Sequence, residues 1–124
     1  MMYKYGQQVW GSVDIGKQVT ITASNNTFTF NVDGLSYTLM IPVGTYTTSR
    51  QRHEAELIQA MSKVASAQNI PVQFILGGMH YDKQYNVLIL EHTDTSNEHV
   101  IDQWAGNAMD TIFGQVKFNL PPRD

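Results

Sequence analysis

Cysteine is absent from this 124-residue sequence. Its absence excludes disulfides, thiolate nucleophiles and cysteine-ligated zinc together. The opening MMYKYGQQVWG has no apolar run of the signal-peptide kind. No apolar stretch approaches the ~20 residues needed to cross a bilayer. The expectation is a chain made in the cytoplasm, with no membrane partner. Basic charge is also scarce: Lys and Arg number 8 against 11 Asp and Glu, for a net charge of −3. The densest basic group, Arg50, Arg52 and His53, is interleaved with Glu54 and Glu56. That is no basic face, so no nucleic-acid partner is expected. Charged residues make up 15% of the chain and hydrophobic ones 42%. The polar surface therefore falls to Asn, Gln, Ser and Thr, which repel a neighbouring subunit weakly.

Reaction motifs are missing too. Ser12, Ser24, Ser36, Ser49, Ser62, Ser66 and Ser96 lack a GxSxG elbow. Gly77-Gly78 is not part of a phosphate-cradling GxxxxGK[ST] loop. The chain is read as a non-enzyme, with no cofactor and no metal.

What the sequence does contain is a strong hairpin, Asn26 to Thr47. Phe28, Phe30 and Val32 alternate with Thr27, Thr29 and Asn31, which is period two with one face buried. Asp33-Gly34 supplies the positive φ angles of a tight turn. The return strand, Ser36 to Ile41, puts Tyr37, Leu39 and Ile41 on one face. Pro42 removes a ladder donor and ends the strand, and Gly44 lets the chain swing away. Asp33, Gly34, Tyr37, Pro42, Gly44 and Tyr46 are the shape-setting residues.

Before the hairpin, Val19 to Ala23 reads as a strand. Residues 1–17 read as an N-terminal arm whose aromatics either fold back or reach a neighbour. Tyr3, Tyr5, Trp10 and, far along the chain, Trp104 are the candidate subunit contacts, because exposed Trp and Tyr are favoured interface anchors. After the hairpin, Thr48 and Gln51 have capping-box spacing. Leu57, Ile58, Met61, Val64 and Ala65 then form one helical stripe, ended near Gln68-Asn69 by Pro71. Val72 to Leu76 is a strand, Asp82 to Gln84 a turn, and Tyr85 to His92 a strand. The unalternating Val87 to Leu90 predicts cover on both faces, from another subunit or from a second layer within the domain. A short strand at His99 to Ile101 and a short helix capped by Asn107 and closed by Gly114 follow. A closing strand, Gln115 to Leu120, completes the domain.

The predicted fold is α+β, with a mainly antiparallel sheet in the order β-β-β-α-β-β-β-α-β. A long helix lies on one face and a second helix is short. The domain spans 18–120, and 121–124 is a tail.

Three groupings invite a chemical reading. His92, Asp94, Glu98 and His99 gather metal-type donors around one loop, although the spacing matches no established signature and a solvated loop is the simpler reading. Asp102 and Asp110 flank Trp104, with Glu91 nearby, a glycosidase-like set lacking a pocket to raise one pKa. Trp10, Trp104, Tyr81 and Tyr85 would make a binding platform if exposed together, but such residues are more often core or subunit contacts.

One resemblance spans Val19 to Gly114. The run Gly34-Leu35-Ser36-Tyr37-Thr38-Leu39-Met40-Ile41-Pro42-Val43-Gly44-Thr45-Tyr46-Thr47 leads directly into the helix containing Leu57 and Met61. Tyr85 to Leu90, a Ser/Thr-rich loop and Gly106-Asn107-Ala108-Met109-Asp110-Thr111-Ile112-Phe113-Gly114 follow. This order resembles a module of tailed-bacteriophage virion structural proteins, and is similar to one in flagellin and flagellar hook-associated proteins. The resemblance implies a non-enzymatic assembly component of a capsid, neck, tail or fibre, located in the virion. Its implied partners are copies of itself and other virion proteins. Flagellins add long helical termini that this chain lacks, which favours the phage branch over a flagellar filament component. A module that recognises a host-surface receptor or glycan is the other alternative.

Overall fold

The computed structural model describes residues 2–16, 18–48 and 55–124. The described residues form eleven strands and two helices, and every strand pair is antiparallel. The α+β expectation therefore holds, with one long helix and one short one. The single sheet does not: the strands divide among four sheets.

The hairpin is built as its alternation predicts. Strand β3 (Thr27–Val32) buries Phe28, Phe30 and Val32 and turns at Asp33-Gly34 into β4 (Leu35–Met40). Asp33 and Gly34 have φ of 51° and 87°, the two positive values of a type I′ turn. Strand β5 (Gly44–Thr47) leaves after Pro42 and pairs with β2 (Gln18–Ile21). The Tyr46 hydroxyl reaches back to the Pro42 carbonyl at 2.6 Å, so Pro42, Gly44 and Tyr46 shape one corner.

Helix α1 (Glu56–Ala67) buries Leu57, Ile58, Met61 and Ala65, the predicted stripe. It packs along β6 (Val72–Leu76) and also touches β4 and β5, sharing one core with Phe28, Phe30, Leu39, Phe74 and Leu90. The helix follows Ala55, with no side-chain cap. The proposed capping box lies partly outside the described residues. Thr48 itself turns inward and its hydroxyl donates to the Ile15 carbonyl.

Strand β9 (Leu88–His92) is buried along its whole length. Leu88 and Leu90 face the main core; Ile89, with Val87, faces a second cluster containing Trp10 and Ile75. Tyr85, Phe118 and Leu120 pack against that cluster. A second layer within the chain thus supplies the predicted cover.

In residues 1–17 the fold-back alternative holds for Trp10, and the segment is part of the sheet and not an arm laid on it. Gln8–Trp10 forms β1, hydrogen-bonded between β9 and β11 (Phe118–Leu120) in the sheet β11-β1-β9-β6. Val9 faces the main core and Trp10 the second cluster. Trp10, 1% exposed, is a core residue and no subunit contact within this fold. The tail at 121–124 is likewise tied in, because Tyr5 and Arg123 form a bridge.

Smaller corrections have local causes. The turn falls at Tyr81-Asp82, where Tyr81 has φ of 55°, and β7 (Met79–His80) pairs with β8 (Lys83–Gln84). The strand placed at His99 to Ile101 runs instead as β10 (Ile101–Ala105), with a register shift against β3 between Asp102 and Ala105. Helix α2 (Met109–Ile112) follows Ala108. Asn107 does not cap it: its Oδ1 accepts the Thr27 amide at 2.8 Å and hydroxyl at 2.7 Å. Gly114, at φ 77°, does close α2, donating to the Met109 carbonyl.

Candidate functional site

The most closely coupled polar cluster lies at the Asp33 turn. The Asp33 amide donates to the Val100 carbonyl at 2.8 Å, and Asp33 Oδ1 accepts the Val100 amide at 2.9 Å. These reciprocal bonds fasten the hairpin end to the segment entering β10. Asp33 Oδ2 stands 2.7 Å from His99 Nδ1, and His99 Nε2 stands 2.8 Å from Asp94 Oδ2. Asp94 is itself held by the Ser96 amide on Oδ1 and the Asn97 side chain on Oδ2. His92, buried at the end of β9, stacks on His99 with ring centres 3.5 Å apart and planes within 3°.

Protonation follows from the partners. An ionised carboxylate only accepts, so His99 satisfies both oxygens only as the imidazolium. Burial opposes that charge, but the bonds to Asp94 and Asp33, and their negative charges, outweigh it and hold the His99 pKa above 6.5. The Val100 amide and then His99 hold Asp33 below the usual carboxylate value. His99, the Ser96 amide and Asn97 hold Asp94 far below it. Burial and then the His99 charge push His92 down. The Asp94 amide donates to His92 Nδ1 at 3.0 Å, which leaves the His92 proton on Nε2. A neutral imidazole therefore lies on a charged one.

Ligand-type atoms of Asp33, His92 and His99 lie within 4.8 Å of one another. The geometry nevertheless suits a proton better than a cation. His92 Nε2 and His99 Nδ1 both face Asp33 Oδ2, at 3.9 and 2.7 Å, but each already carries hydrogen in this arrangement. The cluster is a clasp, with His99 as its bridge.

Its pH dependence has a definite sign. His99, with a raised pKa, contributes stability that is complete below pH 6.5 and fades as pH rises through its higher folded value. Asp33 and Asp94, with lowered pKa values, contribute above pH 3.8 and lose that contribution as pH falls further. His92 acts against folding as pH falls below 6.5, because the unfolded ring takes up a proton first. His99→Gln is therefore expected to destabilise by about 1 kcal/mol near pH 6, after allowing for solvent screening around the partly exposed Asp33. The loss should shrink towards pH 9. Urea midpoints of both proteins at pH 6, 7.5 and 9 check this, and a loss constant across the range would remove the imidazolium from the account.

Of the four residues grouped from the sequence around this loop, His92, Asp94 and His99 meet here. Glu98 is exposed and makes no contact within the clasp. Asp33, read only as a turn residue, is the member the sequence left out. Its Asp-Gly turn carried a signal for shape and none for a partner 66 positions away.

The carboxylate grouping is not assembled. Glu91 is buried in the four-stranded sheet, where its carboxylate accepts the Gly6 amide and Gln8 Nε2, whereas Asp102 lies on β10 of another sheet. The aromatic platform is divided as well. Trp10 meets Tyr85 edge-on in the second cluster, while Trp104 stacks on Phe113 at 4.4 Å and beside Phe28. Tyr3 is half-buried, its amide bonded to the Thr95 carbonyl, and Tyr5 lies under the Arg123 guanidinium. Tyr37 packs beside Phe30.

No protein-family model matches this chain, and no curated protein or solved structure matches it. Among the described residues no helix is long and apolar enough to cross a membrane.

Proposed function

We propose that the chain is a non-enzymatic structural or assembly component of a tailed-phage particle, working by self-association or by docking to other particle proteins. The observation that carries this reading is the set of exposed apolar side chains on and beside the β3–β4 hairpin. Leu35 and Val100, 64% and 57% exposed, lie at the clasped end; Met40 and Val43, 56% and 64% exposed, lie at the other. The residues that carry the resemblance, Gly34, Tyr37, Pro42, Gly44 and Tyr46, shape this same hairpin. The titratable groups of the clasp are spent on one another, which suits a fastening role better than catalysis.

Sedimentation velocity over a wide concentration range, with binding assays on particle proteins encoded beside this chain, tests the reading. Association or specific capture is expected. Charge placed beside the hairpin's exposed apolar residues, as in Met40→Lys with Val43→Lys, should weaken it about tenfold or more. A protein that stays monomeric at about millimolar concentration and binds no particle protein would overturn the reading.

A further inference from the structure

The β7–β8 hairpin carries an unusual tip. Tyr81 is 90% exposed and Met79 56% exposed. Tyr81 adopts φ of 55°, a left-handed backbone that bulky side chains rarely take. The two-residue turn between His80 and Lys83 requires that backbone, and it places the tyrosine at the very tip. The finger beneath the tip is braced: His80 stacks on Phe118 with ring centres 4.2 Å apart, and Trp10 meets both. A large aromatic thus stands in solvent at the end of a braced finger.

A complementary surface lies elsewhere on the molecule. Pro42 and the later turns of α1 line a groove of about 520 Å³, whose walls are Ala60, Val64 and Ala67 and whose polar groups are Lys63 and Gln68. Exposed Met40 and Val43 flank it in sequence. Among the described residues Lys63 has no ion-pair partner, and neither does Asp82, next to Tyr81 on the tip. The two surfaces sit at opposite ends. Helix α1 ends at Ala67, the chain reverses, and β6 runs back along it for five residues, roughly 17 Å, before the finger begins.

We propose that the Tyr81 tip of one copy docks in the Pro42–α1 groove of a second copy, with Asp82 facing Lys63. The contact rests on the assembly reading and specifies its partner. Joining two different surfaces of identical chains makes it head-to-tail, the kind of contact that propagates into rings or filaments.

Sedimentation velocity on the full chain tests this. Wild type is expected to form concentration-dependent species larger than a dimer. Tyr81→Ser and Ala67→Glu, both at exposed positions, should each weaken association about tenfold or more. Mixing these two variants should give a dimer that grows no further, because one intact tip and one intact groove remain. Lys63→Glu should weaken association, and adding Asp82→Lys should restore it. Undiminished association in Tyr81→Ser and Ala67→Glu would overturn the contact while leaving the assembly reading in place. A monomeric wild type would overturn the contact, and would end the assembly reading only if particle proteins were also not bound.

Discussion

Trp10→Ala is expected to lower the unfolding free energy by about 4 kcal/mol. The ring is 1% exposed and meets Tyr85, Phe118 and His80 edge-on at centroid distances of 5.8, 5.0 and 6.0 Å. Gly78 is pressed against it so closely that a Cβ there would lie 2.8 Å from the indole. Truncation removes the anchor of the second cluster and leaves a cavity that braced neighbours fill poorly. The indole N–H donates to Gln8 Oε1, which also accepts Arg123, so the loss leaves no buried acceptor unpaired and the cost is mainly packing. Against a total of 5–15 kcal/mol for a typical domain, such a change lowers the melting temperature by roughly 15 °C. Urea unfolding followed by circular dichroism measures it. A loss below about 1 kcal/mol would return residues 1–17 to the status of a peripheral arm.

The second large effect is expected at Gly106. Its φ is 96°, and a Cβ there would overlap the Thr27 carbonyl oxygen and come within 3.1 Å of Phe28 Cα. Neither obstacle is the end of a flexible side chain. That carbonyl already accepts the Ala108 amide, while Asn107 holds the Thr27 amide and hydroxyl. The link from β10 to α2 is therefore sewn to the start of β3, and movement there disturbs four hydrogen bonds, the fourth from the Asn107 amide to the Thr27 hydroxyl. Gly106→Ala is expected to cost about 3 kcal/mol. Gly34→Ala is the control: φ is 87° there, but nothing lies within 4 Å of the added carbon. Its cost is conformational alone, about 1 kcal/mol. Equal losses in the two variants would show that contact with the Thr27 carbonyl does not matter.

Both predictions fall on positions whose importance was illegible in the sequence, for a shared reason. A strand buried on both faces has no alternation, so Gln8–Trp10 carried no period and its residues read as an arm. The same lack of period in Val87 to Leu90 was interpretable only because that run is longer and uniformly apolar. Gly106 looked like an ordinary punctuator before a helix, because the obstruction above it comes from Thr27, far away along the chain.

The clasp divides in the same way. That His92, Asp94 and His99 lie near one another was readable from their spacing. That Asp33 completes them was not, because the hairpin must first fold back against β10 to bring its turn there.

The sequence by itself determined the local grammar of this protein: the β3–β4 hairpin with its Asp33-Gly34 turn, the apolar stripe of α1, the strand at Val72–Leu76 and one within Tyr85–His92, and the α+β class. These follow from periodicity and turn chemistry, which act over a few residues. Only the tertiary structure decided the division into four sheets, the seat of Trp10 in a second core, the imidazolium bridge between Asp33 and Asp94, and which aromatic, Tyr81, is left facing outward. Each of these is a contact between residues distant along the chain. Its energy depends on what the returning chain brings near, and a local pattern does not encode that.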